Sequence, residues 1–177
     1  MHSAVTEASI QKASELFWEQ MLAMRLEPVA SAAGSEQTQR RCIGPAHVLA
    51  SCELSGIWAG RIEVRLSSGL ALSATAAMLM QSLDAVQPTD TLDAVQEIAN
   101  MIAGTLKSAL PRPCSLSVPS ASLSSEDFCV LPRTHDTITV FFQHDSGMLM
   151  VRVWEYESSV GATEPLTNSQ FAALCAA

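Results

Sequence analysis

The segment Asp93-Ala94-Val95-Gln96-Glu97-Ile98-Ala99-Asn100-Met101-Ile102-Ala103-Gly104 holds the residues whose types and spacing fit a chemical task best. At about 100° per residue, Asp93, Glu97, Asn100 and Gly104 fall within roughly 60° of one another on a helix. Leu92, Val95, Ile98, Ala99, Ile102, Leu106 and Leu110 form the opposite, apolar stripe. A carboxylate and a carboxamide thus stand side by side on the solvent face, next to a residue with no side chain. Neither has an adjacent nucleophile or base, which excludes covalent catalysis by this face alone. A carboxamide can both donate to and accept from a water, and so hold it in line for attack on a phosphoryl group. The carboxylate can grip a cation on a partner, and Gly104 permits close approach. The same spacing also fits a plain solvated face, because polar residues opposite an apolar stripe are what amphipathicity requires.

The chain that must position this face has 177 residues, enough for one domain with a sizeable core. Ten Lys plus Arg against eighteen Asp plus Glu give a formal charge of −8, which argues against nucleic acid as a partner. Five cysteines, Cys42, Cys52, Cys114, Cys129 and Cys175, have no C-x-x-C spacing, so neither a disulfide framework nor a zinc knuckle is indicated and a reducing, cytoplasmic setting suits them. Met1 to Ile10 does not have the pattern of a secretory signal, and the uncharged stretch Leu66 to Leu83 is too interrupted by Ser, Thr, Gly and Gln to span a membrane. Arg40-Arg41 is too small a basic patch for a membrane surface. No G-x-S-x-G, Walker loop or dinucleotide fingerprint is present.

Apolar positions Ile10, Ala13, Phe17, Met21 and Leu22 predict a first helix over Thr6 to about Leu26, with Pro28 just past its end. Ala30 to Arg41 reads as a loop. Ala46–Leu54 and Arg61–Leu66 predict a hairpin between Gly56 and Gly60, and Gly69–Leu83 a second helix. The third helix, with Thr89 or Asp90 as N-cap, runs to about Leu110, stopped by Pro111 and Pro113. Leu116–Ala121, containing Pro119, is a weak edge strand. Thr137–His144 and Met148–Trp154 form a closing hairpin around the three-residue loop Asp145-Ser146-Gly147. After Tyr156 the chain turns polar, with one helical turn around Ser169–Cys175. The prediction is an α+β fold, helices packed on a mainly antiparallel sheet, with a loose repeat of helix plus hairpin. Residues 1–156 form the domain and 157–177 a tail. His135-Asp136 and His144-Asp145 have no third ligand nearby, so no metal site is expected, and the methionines Met78, Met80, Met101, Met148 and Met150 are expected in the core.

The string Asp93-x-x-x-Glu97-x-x-Asn100-x-x-x-Gly104 resembles the D-x-x-x-E-x-x-N-x-x-x-G signature of the CheC/CheX/FliY chemotaxis phosphatases. Glu15-Leu16-Phe17-Trp18-Glu19-Gln20-Met21-Leu22 is similar to the opening helix of the CheX branch. Gly56-x-x-x-Gly60 followed by Arg61-Ile62-Glu63-Val64 resembles its first hairpin, and Met148–Trp154 lies where its closing strand would. The resemblance covers about residues 5–156. It implies an aspartyl-phosphate phosphatase acting on a phosphorylated CheY-like response regulator. Glu97 then contacts the regulator's lysine, Asn100 positions the attacking water, and Asp93, Gln96 and Gly104 meet the partner. The chain has no cofactor of its own, and Mg²⁺ belongs to the partner. CheC-type members carry two such motifs, whereas the corresponding place in the first helix here reads Glu15-x-x-Trp18, leaving one active helix as in the CheX branch. That branch also implies a homodimer covering an exposed strand edge or hairpin face with Met148, Met150 and Trp154. One departure is Met78-Leu79-Met80-Gln81-Ser82, where the family often has a Gly soon after the Met-Leu pair. Two other classes remain: a catalytically silent adaptor that binds a receiver domain, and a structural homodimerising domain in which Glu97 and Asn100 are merely surface.

Overall fold

The first helix, α1 (Glu7–Leu22), starts where Thr6 and Ser9 cap each other: the Ser9 N–H donates to Thr6 Oγ1 at 3.2 Å and the Thr6 N–H to Ser9 Oγ at 2.9 Å. In this computed structural model, which describes residues 5–29, 46–124 and 137–156, α1 stops four residues short of the predicted end. Ala23 adopts a left-handed conformation (φ 52°), and the helix is closed by the Met24 N–H, which donates to the Trp18 carbonyl at 3.0 Å. The released chain forms a strand that the sequence pattern does not show, β1 (Glu27–Val29), in which Pro28 lies at a sheet edge.

The predicted first hairpin is β2 (His47–Gly56) and β3 (Gly60–Ser67), paired antiparallel. Gly60 is required there, since a Cβ would lie 2.1 Å from the Trp154 carbonyl oxygen and 2.5 Å from the Trp58 ring. Helix α2 (Ser68–Leu79) follows, then a single 3-10 turn, Leu83–Ala85, and α3 (Pro88–Ser108). The N-cap of α3 is Gln87 and not Thr89 or Asp90: Pro88 occupies the first helical position, and Asp90 accepts from the Gln87 N–H at 3.0 Å. Leu116–Ala121 falls on two short strands, β4 (Cys114–Leu116) and β5 (Ser120–Ser124), separated by Ser117-Val118-Pro119, and both pair with β2. The closing hairpin is β6 (Thr137–His144) and β7 (Gly147–Glu155). Its turn has two residues and not three, because Gly147 (φ 142°) already pairs with His144, whose Nδ1 accepts from the Ser146 N–H at 3.0 Å.

The fold is α+β. Among the described residues, its antiparallel sheet has seven strands and runs β1-β6-β7-β3-β2-β4, with β5 also on β2. The repeat of helix plus hairpin is visible in the pairing. Hairpin strands β3 and β7 meet at the centre, and each half lends its edge strand to the other: β1 pairs with β6, and β4 and β5 pair with β2. One sheet face, with Val48, Ala50, Ile62, Val64, Val151 and Phe142, packs against Ile10, Trp18, Leu70, Val95, Ile98 and Ile102 of the helices. The opposite face carries Glu63 paired with Arg65, and Arg61 paired with Glu53 at 3.3 Å. Tyr156 donates to the same Glu53, and burial with that contact pushes the phenol up from its ordinary value.

Strand β7 is central, not an edge, and Met148, Met150 and Trp154 are buried, so they offer no bare face for a mate. Among the other methionines, Met78 packs on the core but Met80 and Met101 are exposed. Cys52 is a core thiol, pushed up to about 12 mainly by burial, with Glu53 adding to the shift, and is unreactive for that reason. Among the described residues, no helix is long and apolar enough to cross a membrane. The predicted loop 30–41, the residues His135 and Asp136, and the tail 157–177 lie outside the described residues.

Candidate functional site

Helix α3 lies across β2 and β3 between α1 and α2, with β4 and β5 along one flank. Its 21 residues make almost six turns, so its outer face is a long, rigid row. Val95, Ile98, Ala99, Ile102 and Leu106 are buried, and Leu92 is half-buried, as the stripe predicts. Asp93, Glu97 and Gly104 are exposed and Asn100 is half-buried, all on the outer arc. Asn100 Nδ2 donates to Glu97 Oε2 at 3.3 Å, the i, i+3 contact that helical spacing allows. That long contact at the surface orients the carboxamide so that its carbonyl oxygen can accept from an incoming water. Nothing among the described residues donates to that oxygen.

Asp93 is in the second turn of α3; the first-turn acid is Asp90, which caps the helix. Gln96 is turned to the flank, where its Nε2 donates to the Pro119 carbonyl at 2.7 Å. This contact closes one side of an open groove of about 510 Å³. Asp93, Gln96, Glu97 and Asn100 form its helical wall, and Leu116 to Pro119 form the other. The sequence pattern hides this second wall because Leu116–Ala121 has no clear alternation; its one local signal is the break at Pro119. The groove adjoins a second one of about 770 Å³ toward the C-terminal end of α3, lined by Gly104, Lys107, Ser108, Arg112 and Cys114, with Leu116 common to both.

Gly104 has no internal reason to be glycine. A Cβ built there meets nothing within 4 Å. A glycine inside a helix costs about 1 kcal/mol relative to alanine, so the fold bears a penalty here that its own packing does not explain.

Trp18 does not occupy the place on α1 that would correspond to Asn100. It is wholly buried, edge-on to Phe17 with ring centroids 6.4 Å apart, whereas Asn100 is on the outer arc. On α1 the acids Glu7, Glu15 and Glu19 are followed three residues on by Ile10, Trp18 and Leu22, so that helix has no carboxylate followed at i+3 by a carboxamide.

A family model described as "Chemotaxis phosphatase CheX" matches residues 48–143, which include all of α3. The fold is similar to that of the chemotaxis protein CheX from Vibrio vulnificus (TM-score 0.66, 16% identity, covering 88% of this chain and 100% of that one). It is similar also to a CheC-like superfamily protein from Shewanella sp. PV-4 (0.70, 16%, 89% and 100%). A third likeness is to a structure described as the CheX-CheY-BeF3-Mg²⁺ complex from Borrelia burgdorferi (0.62, 17%, 85% and 97%). No curated protein matches the sequence. At these identities the structural likenesses speak for the fold.

Proposed function

Because the chain belongs to the CheX family of chemotaxis phosphatases, we propose that it hydrolyses the aspartyl phosphate of a CheY-like response regulator. The observation that carries this reading is the outer face of α3: a contacting Glu97 and Asn100 in an open groove, beside a Gly104 that the fold itself does not need. The Borrelia burgdorferi structure, a complex of a related fold with CheY, BeF3 and Mg²⁺, lends the partner class.

In this reading the helix enters the regulator's active site. The Asn100 carbonyl accepts from a water and aims its lone pair at phosphorus. The water oxygen forms the new P–O bond, and the bond to the aspartyl oxygen breaks with its electron pair left on the regulator's carboxylate. Inorganic phosphate leaves, and the water's proton goes with it or to solvent. Glu97 exchanges its contact with Asn100 for the regulator's lysine, and Asp93 and Gly104 meet the partner surface. Mg²⁺ is held by the regulator, and no cofactor of this chain enters the step. The decay of a phosphorylated CheY-like receiver domain should accelerate when this protein is added. Binding with no acceleration is the outcome that sinks the phosphatase and leaves a silent adaptor.

Gly104→Ala separates function from fold. The substitution is expected to raise stability by about 0.5–1 kcal/mol through helix propensity, seen as a higher urea midpoint. The added methyl is expected at the same time to raise the regulator concentration needed for half-maximal rate. A stabilised variant with unchanged regulator dependence would show that the glycine does not serve close approach.

A homodimer belongs to the same proposal. Among the described residues, the outermost strands of the sheet are β1 on one side and β4 and β5 on the other, where Leu123 is exposed. Sedimentation at micromolar concentration is expected to show two chains per particle; a single-chain particle removes the homodimer from the reading.

A further inference from the structure

Among the exposed apolar side chains, Val118 is distinguished by how its backbone is held. It is 87% exposed, in the short connection between β4 and β5. Scattered exposed aliphatics need no explanation, and a loose loop could turn one inward. Here both neighbours are tied. The Ser117 N–H donates to the Glu53 carbonyl at 2.9 Å, and the Glu53 N–H donates to the Ser117 hydroxyl at 2.9 Å, which fixes Ser117 to β2. On the other side Pro119 has its carbonyl held by Gln96 at 2.7 Å, and its ring restricts its own φ and the conformation of Val118. The molecule therefore spends conformational entropy to hold a β-branched apolar side chain in water, where it gains no burial. The same segment walls the groove opposite Asp93, Glu97 and Asn100.

We infer that Leu116–Pro119 is a rigid recognition lip, whose Val118 docks on an apolar spot of the receiver domain beside its phosphoaspartate, and that Gln96 is the positioning residue that holds the lip at the right height over α3. This inference rests on the phosphatase reading above. The lip's place fits its occupant: a partner whose phosphoaspartate reaches Asn100 must lie in the groove, and Val118 is the apolar group on the groove's far wall that points into solvent. A preset apolar anchor at the rim of a polar site adds affinity and partner choice without taking part in the chemistry. It also gives Gln96 an inward task, in place of direct contact with the partner.

The test follows the decay of a phosphorylated CheY-like receiver domain over a range of receiver concentrations. Val118→Ser is expected to raise the half-saturating concentration about tenfold, from the loss of one buried aliphatic side chain, with the maximal rate unchanged. Val118→Ile should retain the wild-type value. Gln96→Leu removes the tie to Pro119 and is expected to shift half-saturation in the same direction with little change in the maximal rate. Met21→Ser, at a residue 63% exposed on α1, should change neither. If the wild-type protein accelerates decay and Val118→Ser leaves half-saturation unchanged, or lowers the maximal rate alone, the lip is overturned while the phosphatase stands. If Val118→Ser shifts half-saturation and Gln96→Leu only lowers the melting temperature, the lip stands and Gln96 loses its positioning role. A wild-type protein that neither binds the receiver nor accelerates its decay removes the phosphatase reading and this inference together.

Discussion

Asn100→Ala is expected to cut the dephosphorylation rate by about 10²–10³-fold, the usual loss when one preorganised polar group is removed from a reacting centre. The fold should not suffer. Asn100 is half-buried on the outer arc, its one side-chain hydrogen bond among the described residues is the 3.3 Å bond to Glu97, and alanine is the better helix former. Loss of rate with an unchanged or raised melting temperature is thus the pattern that a water-positioning role requires. The loss should lie in the maximal rate and not in the receiver concentration for half-maximal rate, because the amide acts on water in the transition state. The measurement is receiver dephosphorylation at saturating receiver concentration. Wild-type activity in this variant would remove Asn100 from the mechanism.

The helix that carries these residues is legible in the sequence because its period is long and strong. Seven apolar positions from Leu92 to Leu110 agree on one direction, and the outer arc follows from them by geometry. The β2–β3 hairpin is legible for the related reason that Ile62, Val64 and Leu66 alternate with Arg61, Glu63 and Arg65 and that Gly56 and Gly60 bracket the turn, and the β6–β7 hairpin because two β-rich runs flank Asp145-Ser146-Gly147. What escapes the pattern is set by distant partners. Strand β1 is three residues long and contains a proline, and it is a strand because β6 supplies its hydrogen bonds. Strands β4 and β5 exist as additions to β2, and the wall between them stands because Glu53 and Gln96, far away in sequence, hold it. The misplacement of Trp18 has another origin. A spacing of three fits either face of a helix, and only packing showed that this tryptophan belongs to the core.

Glu97→Gln is expected to weaken regulator binding by roughly 2–5 kcal/mol, which is about 30-fold or more in affinity. Glu97 is exposed in the free protein, and its carboxylate is already an acceptor for Asn100 at 3.3 Å. A glutamine amide oxygen can accept the same bond, so the free helix keeps its shape and its outer face. The difference arises in the complex. There the carboxylate and the regulator's lysine are both withdrawn from water, and removing one charge leaves the other buried without compensation. Asp93 gives the internal comparison. It is exposed one turn earlier in the same groove, and Asp90 already serves the helix start, so Asp93→Asn changes the charge of the groove by the same amount without breaking a desolvated pair. Its expected effect is a few-fold, and screened by salt. Calorimetry with a CheY-like receiver domain, beryllofluoride and Mg²⁺ at low and moderate salt checks both. A large, salt-resistant loss for Glu97→Gln beside a small, salt-sensitive one for Asp93→Asn assigns the lysine contact to Glu97. Equal and negligible losses would leave the groove's acidic residues as solvated surface, and would move recognition to the lip and the glycine.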